Sequence, residues 1–130
     1  MIAVVSTTHG AFAVDLDVGE VEPWASEVVV QPEPILNLPR VLAAAAAGST
    51  VVAVVDRKPP LLVSYDAGST WSDSGRGLPA GRAVAISETD PDFVVYAGRN
   101  RLFVSRNGGR FWSALEAELP EIEALELREA

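Results

Sequence analysis

Residues 64–71 read SYDAGSTW, with a serine, an aspartate, a glycine and a tryptophan at fixed spacing between two apolar runs. Between strands, DAGST has to reverse the chain within a few residues. Asp66 can fold its carboxylate back onto backbone N–H groups, and Gly68 can take the positive φ that a Cβ resists. Trp71 then opens the next strand with a large flat group suited to covering a sheet edge.

The same pattern returns 41 residues later as SRNGGRFW, residues 105–112. Leu78-Pro79 recurs at the same offset as Leu119-Pro120, and Val84 and Ile86 fall on Leu125 and Leu127. A third, worn copy is read near the start, where Asp15 to Gly19 leads into Trp24, which places all three tryptophans at one point of a repeat. Around these copies TVVAVVD (50–56), LLVSYD (61–66), AVAIS (83–87), FVVYAG (93–98) and RLFVSR (101–106) are short. They are rich in β-branched and aromatic residues, which predicts about four strands per unit. Four antiparallel strands in a period near 41 are the pattern of a β-propeller blade.

These motifs resemble the Asp-box, or BNR, repeat, S-x-D-x-G-x-T-W, of the sialidase and sortilin-like propellers. The match is close at 64–71. At 105–112 Asn107 replaces the acid and Phe111 the threonine, and at the N-terminal copy only acid, glycine and tryptophan persist. The resemblance implies a structural box made of Asp17, Gly19 and Trp24; Ser64, Asp66, Gly68 and Trp71; and Ser105, Asn107, Gly109 and Trp112. In that family the box joins the third and fourth strands of a blade at the periphery, so it builds the blade and does no chemistry.

That phase makes the chain, 1–130, a single all-β domain of three four-stranded blades, at 40–74, at 82–116, and at 122–128 together with 2–30. The alanines at 43–47 also suit a helix, as does the Ala-, Leu- and Glu-rich tail from 113 to 130. Propeller rings run from about four to eight blades, so three leave the ring open. The expectation is a homodimer in which the last strand of one copy completes the first blade of the other, giving a six-bladed ring about a twofold axis.

Function, on this reading, belongs to the face opposite the boxes. Arg40, Arg57, Lys58, Arg76, Arg82, Arg99 and Arg101 map there, seven of the chain's ten basic residues, against Glu33, Asp56, Asp73, Glu116, Glu118 and Glu121. Arg40, Arg82, Arg99 and Arg101 are the candidate ligand-binding residues, since guanidinium forks near the axis suit carboxylate, sulfate or phosphate. The family's sialidases use three arginines, a tyrosine–glutamate nucleophile and an acidic proton donor. Tyr65 falls in a box turn and Tyr96 in a second strand, so no catalytic set is read, and His9 is placed in a loop.

No metal site or cofactor is expected, because one histidine without cysteines lacks ligand spacing. The net charge of −8 argues against nucleic acid and anionic membranes as partners. The start MIAVVSTTHG lacks a basic lead into a long apolar core, and no apolar run nears the roughly 18 residues of a membrane span. The expected location is the cytoplasm. Two functions follow: a non-enzymatic scaffold for an anionic ligand or a protein partner, or a sialidase-like glycoside hydrolase with its site on the axis.

Overall fold

The computed structural model describes residues 1–129. Twelve strands form three antiparallel four-stranded sheets, each a propeller blade, and among the described residues there is no helix. Blade I joins β1 (Ile2–Thr7), β2 (Gly10–Asp15) and β3 (Val21–Trp24) to β12 (Ile122–Arg128) in the order β12-β1-β2-β3. Blade II runs β4 (Val41–Ala47), β5 (Thr50–Val55), β6 (Leu61–Ser64), β7 (Ser72–Ser74). Blade III runs β8 (Gly81–Ile86), β9 (Val94–Gly98), β10 (Leu102–Ser105), β11 (Ser113–Ala114).

Blade III lies between the other two, and both of its faces are buried. Toward blade II it presents Val84, Ile86, Val94, Tyr96 and Phe103, which meet Ala43, Ala45, Val52, Val54, Leu61 and Val63. Toward blade I it presents Ala83, Ala85, Val95, Ala97, Leu102 and Val104 against Ala3, Val5, Val14 and Leu125. Burial on both faces accounts for the near-continuous apolar runs of β8, β9 and β10. The alanine run is strand, not helix: Ala43, Ala45 and Ala47 alternate into the core and pair with Val54, Val52 and Thr50. Small side chains on the innermost strands β4 and β8 let neighbouring blades approach closely where they converge.

The tail is strand as well. β12 pairs antiparallel with β1 of the same chain, from Ile2–Arg128 to Thr7–Ile122, with a bulge at its end. The last strand therefore completes the first blade within one chain, where the sequence reading has it donated to a second copy. The ladder is the same in either arrangement. A short connection from Ala114 to Ile122, held by Leu115 N–H on the Leu102 carbonyl and Leu119 N–H on that of Asn100, delivers the strand to its own β1 at high effective concentration.

The third tryptophan is also placed differently. The ladders end at Val63–Ser72 and Val104–Ser113, so Trp71 and Trp112 stand one step on, opposite Ser64 and Ser105. In blade I the corresponding pair is Val14–Val21, and Trp24 lies three residues past it on the side away from the turn, opposite Ala11. The turn before it is made by Asp15, whose carboxylate accepts the N–H groups of Asp17 (2.9 Å) and Val18 (3.3 Å). Asp17 instead faces the N-terminal ammonium at 3.5 Å and Arg106 at 3.4 Å. Trp24 lies on the sheet face turned away from blade III, beneath the Arg128 guanidinium at 4.9 Å, and Arg128 in turn pairs with Glu126 at 2.5 Å. These side chains finish that end of the arc.

Candidate functional site

The innermost strands β4, β8 and β12 converge on a cleft of about 430 Å³. Its walls are Leu42, Ala44, Val84 and Leu125, and Arg82, Glu33 and Glu123 stand around it. A second recess of about 440 Å³ shares Leu42 and Arg82 and adds Arg99 and Glu121. The two form one groove along the axial side of the arc.

Of the four candidate arginines, two are brought together. Glu121 Oε1 accepts from Arg99 Nε at 2.8 Å, while Glu121 Oε2 is 3.6 Å from Arg82 Nη2, beyond hydrogen-bond reach. Arg82 therefore keeps its donors available at the groove. Arg101 pairs with Glu118 at 3.1 Å, and Arg40 lines neither recess. Arg40 holds a left-handed backbone, φ 60°, where its carbonyl accepts the Asp56 N–H at 3.1 Å. Arg57, on the same face, is paired with Asp73 at 2.9 Å. Arg57, Arg99 and Arg101 are thus held by close acids, while Arg82, largely exposed, shares Glu121 only at the longer distance and stands at the cleft.

Sequence reasoning missed the part played by the connection from Trp24 to Val41, which runs along the inner side of the arc. Val29 N–H donates to Glu126 at 2.8 Å, and the Gln31 carboxamide bonds both the N–H (3.2 Å) and the carbonyl (3.0 Å) of Ile86 on β8. Val30 and Glu33 follow as part of the cleft. The only available signal was length: 16 residues separate β3 from β4, against six from β7 to β8 and seven from β11 to β12.

Neither tyrosine reaches the groove. Tyr96 is fully buried, its hydroxyl donating to the Pro79 carbonyl at 2.7 Å, and burial pushes its pKa up to about 12. Tyr65 donates to the Gly108 carbonyl at 2.8 Å under the Arg110 guanidinium, and partial burial raises its pKa too. His9 is exposed in the β1–β2 turn, within 3.1 Å of the Thr8 hydroxyl. Among the described residues no group of three or more potential ligands could hold a metal. Among the described residues no helix is long and apolar enough to cross a membrane.

The peripheral turns are closed by their own side chains. Asp66 Oδ1 accepts from Ser64 Oγ (2.7 Å) and Thr70 N–H (2.8 Å), and Oδ2 accepts from Thr70 Oγ1 (2.5 Å). The Thr70 hydroxyl first, then its N–H and the Ser64 hydroxyl, hold the Asp66 pKa down at about 2. Asn107 repeats the turn without charge, accepting from Ser105 Oγ at 2.9 Å and Phe111 N–H at 3.0 Å.

The chain matches no protein-family model and no curated protein. Among solved structures it is similar to the GH74 enzyme of Niastella koreensis, with a TM-score of 0.50 and 23% identity over 91% of this chain and 18% of that one. It is also similar to YCF48 bound to D1 peptide (TM-score 0.48, 16% identity, 85% of this chain and 34% of that one). YCF48 from Cyanidioschyzon merolae gives 0.44 and 21% over 85% and 31%. All are propeller proteins, and the chain spans about a fifth to a third of their lengths. The likeness to the GH74 enzyme shows the fold.

Proposed function

We propose that this chain is a non-enzymatic propeller module, of the Asp-box type, that binds through its axial groove. Its ligand carries a carboxylate or similar anion on an apolar body. The observation behind this reading is the pairing of an exposed guanidinium, Arg82, with apolar walls from three converging strands in a cleft of about 430 Å³, within the range of small-ligand sites. The anion would meet Arg82, and Leu42, Val84 and Leu125 would hold the rest. The tyrosines required by the sialidase alternative are committed to packing elsewhere.

The test is a calorimetric screen of sialic acid, 4-phenylbutyrate and a short acidic peptide, run beside hydrolysis of a fluorogenic sialoside. Binding without turnover, weakened roughly tenfold in Arg82→Gln, supports the module. Turnover abolished by the same substitution would support the hydrolase.

We also propose that two copies join their arcs into a six-bladed ring, with each terminal strand kept in its own chain. In support, Val29 and Ile35 are exposed outside the cleft, Ile35 wholly so. Light scattering at micromolar concentration should report twice 13.8 kDa, and a single 13.8 kDa particle would end the proposal.

A further inference from the structure

The free edge of β8 faces the cleft, and Gln31 shows what that edge accepts. Ser87 N–H points outward to the Phe93 carbonyl at 3.0 Å, so alternation along the strand turns the peptide groups of Ile86 toward the axis. There Gln31 meets them with one donor and one acceptor held in a plane, the pair that a residue of a partner strand offers. Val84, two residues earlier, presents its peptide groups along the same edge and lines the cleft, beyond the reach of Gln31's two bonds. Arg82 follows at the cleft's mouth.

From this juxtaposition we propose that the cleft takes an extended peptide as an added strand on β8, with an acidic side chain at Arg82. The proposal rests on the reading of the groove as a binding site and names its ligand class. Main-chain hydrogen bonds to Val84 supply register-independent affinity, while Arg82 and the walls select side chains. Glu33 and Glu123 beside the same cleft disfavour further acids, so the fitting peptide carries one carboxylate near one end and neutral or basic residues beyond it. Gln31, which already occupies the Ile86 position, sets where the added strand stops.

The test uses the whole chain and a blocked hexapeptide of alternating threonine and valine with one glutamate. Three control peptides are used: one carries glutamine in place of the glutamate, and two carry N-methyl groups on the amides of one edge or of the other, which covers both directions. Amide exchange and NMR shifts are followed at every strand. The expected result is slowed exchange at Val84 by tenfold or more, lost with one of the methylated peptides, and binding weakened roughly tenfold by glutamine or by Arg82→Gln. Gln31→Ala, by freeing Ile86, should extend protection to that residue. The proposal is overturned if both methylated peptides bind as well as the parent, if protection appears on β7 or β11 instead, or if the hexapeptide fails to bind at millimolar concentration. Should 4-phenylbutyrate still bind in an Arg82-dependent way in that last case, the groove remains a ligand site and only the added strand is refuted.

Discussion

Trp112 and Ser74, on neighbouring blades, are joined by a hydrogen bond: the indole Nε1 donates to Ser74 Oγ at 3.1 Å, and the Ser74 hydroxyl donates onward to the Gly109 carbonyl. The ring also packs edge-on to Tyr96, with centroids 6.3 Å apart. One side chain thus seals the II–III interface at its outer end. Trp112→Ala should cost about 3 kcal/mol, at the low end for such truncations because the ring is only half-buried. Urea denaturation measures it. Coupling to Ser74→Ala in a double-mutant cycle should be about 1 kcal/mol.

Trp24 provides the contrast. Its indole N–H is buried and has no hydrogen-bond partner among the described residues. Trp24→Phe therefore sacrifices no hydrogen bond and should change stability by less than about 1 kcal/mol, whereas Trp112→Phe, which removes the N–H that Ser74 Oγ and the Gly109 carbonyl both accept, should cost about 1–2 kcal/mol. Equal losses from the two substitutions would contradict the different settings of the two rings.

The difference between these tryptophans marks how far the sequence could be read. The spacing from Asp66 to Trp71 is set by a closed turn, so repeating it at Asn107 and Trp112 located the third and fourth strands of two blades and, by subtraction, their first and second strands. In the first blade the acid, glycine and tryptophan recur at looser spacing, and the ladder pair Val14–Val21 overrides that resemblance. Whether β12 joins its own β1 or another copy's is invisible to pattern, because the side-chain alternation is identical in both. The inner connection was illegible for a different reason. Its placement rests on single contacts, Val29 to Glu126 and Gln31 to Ile86, which carry no periodicity.

Asp66 should titrate at about 2, visible by carbon NMR of its carboxyl group, because Thr70 and Ser64 donate to the charged form. A folded-state pKa below the unfolded value near 3.8 contributes stability above that value and loses it as pH falls toward about 2. Thermal midpoints should decline across that window, less steeply in Asp66→Asn. Identical acid profiles for the two proteins would refute this account of the turn.

Tyr96 acts at the other end of the scale. Burial favours the neutral phenol and raises the folded-state pKa from 10.0 to about 12. The folded protein therefore holds its proton more tightly than the unfolded chain between those values, and stability falls as pH rises through them. Ultraviolet titration should show one phenol ionising near 12 or only on unfolding. Tyr96→Phe should remove that alkaline dependence and, by leaving the Pro79 carbonyl without its donor, cost about 1–2 kcal/mol at neutral pH.

Gly81 opens β8 where the backbone leaves no room. A Cβ there would lie 2.1 Å from the Ala97 carbonyl oxygen and 2.7 Å from the Tyr96 hydroxyl. The oxygen is main chain, paired into the β8–β9 ladder beside a bulge, so relief requires moving the strand that carries Arg82. Gly81→Ala should therefore cost about 3 kcal/mol or more and disturb binding at the groove as well. Gly77, in the loop just before it, has φ +82° and nothing within 4 Å of its would-be Cβ. Gly77→Ala should cost only about 1 kcal/mol, from backbone strain, and leave binding unchanged. Chemical denaturation gives the two stabilities and 4-phenylbutyrate titration the second readout. If Gly81→Ala were as mild as Gly77→Ala, the close approach of β8 to Ala97 and Tyr96 would be wrong, and with it the position assigned to Arg82 at the mouth of the cleft.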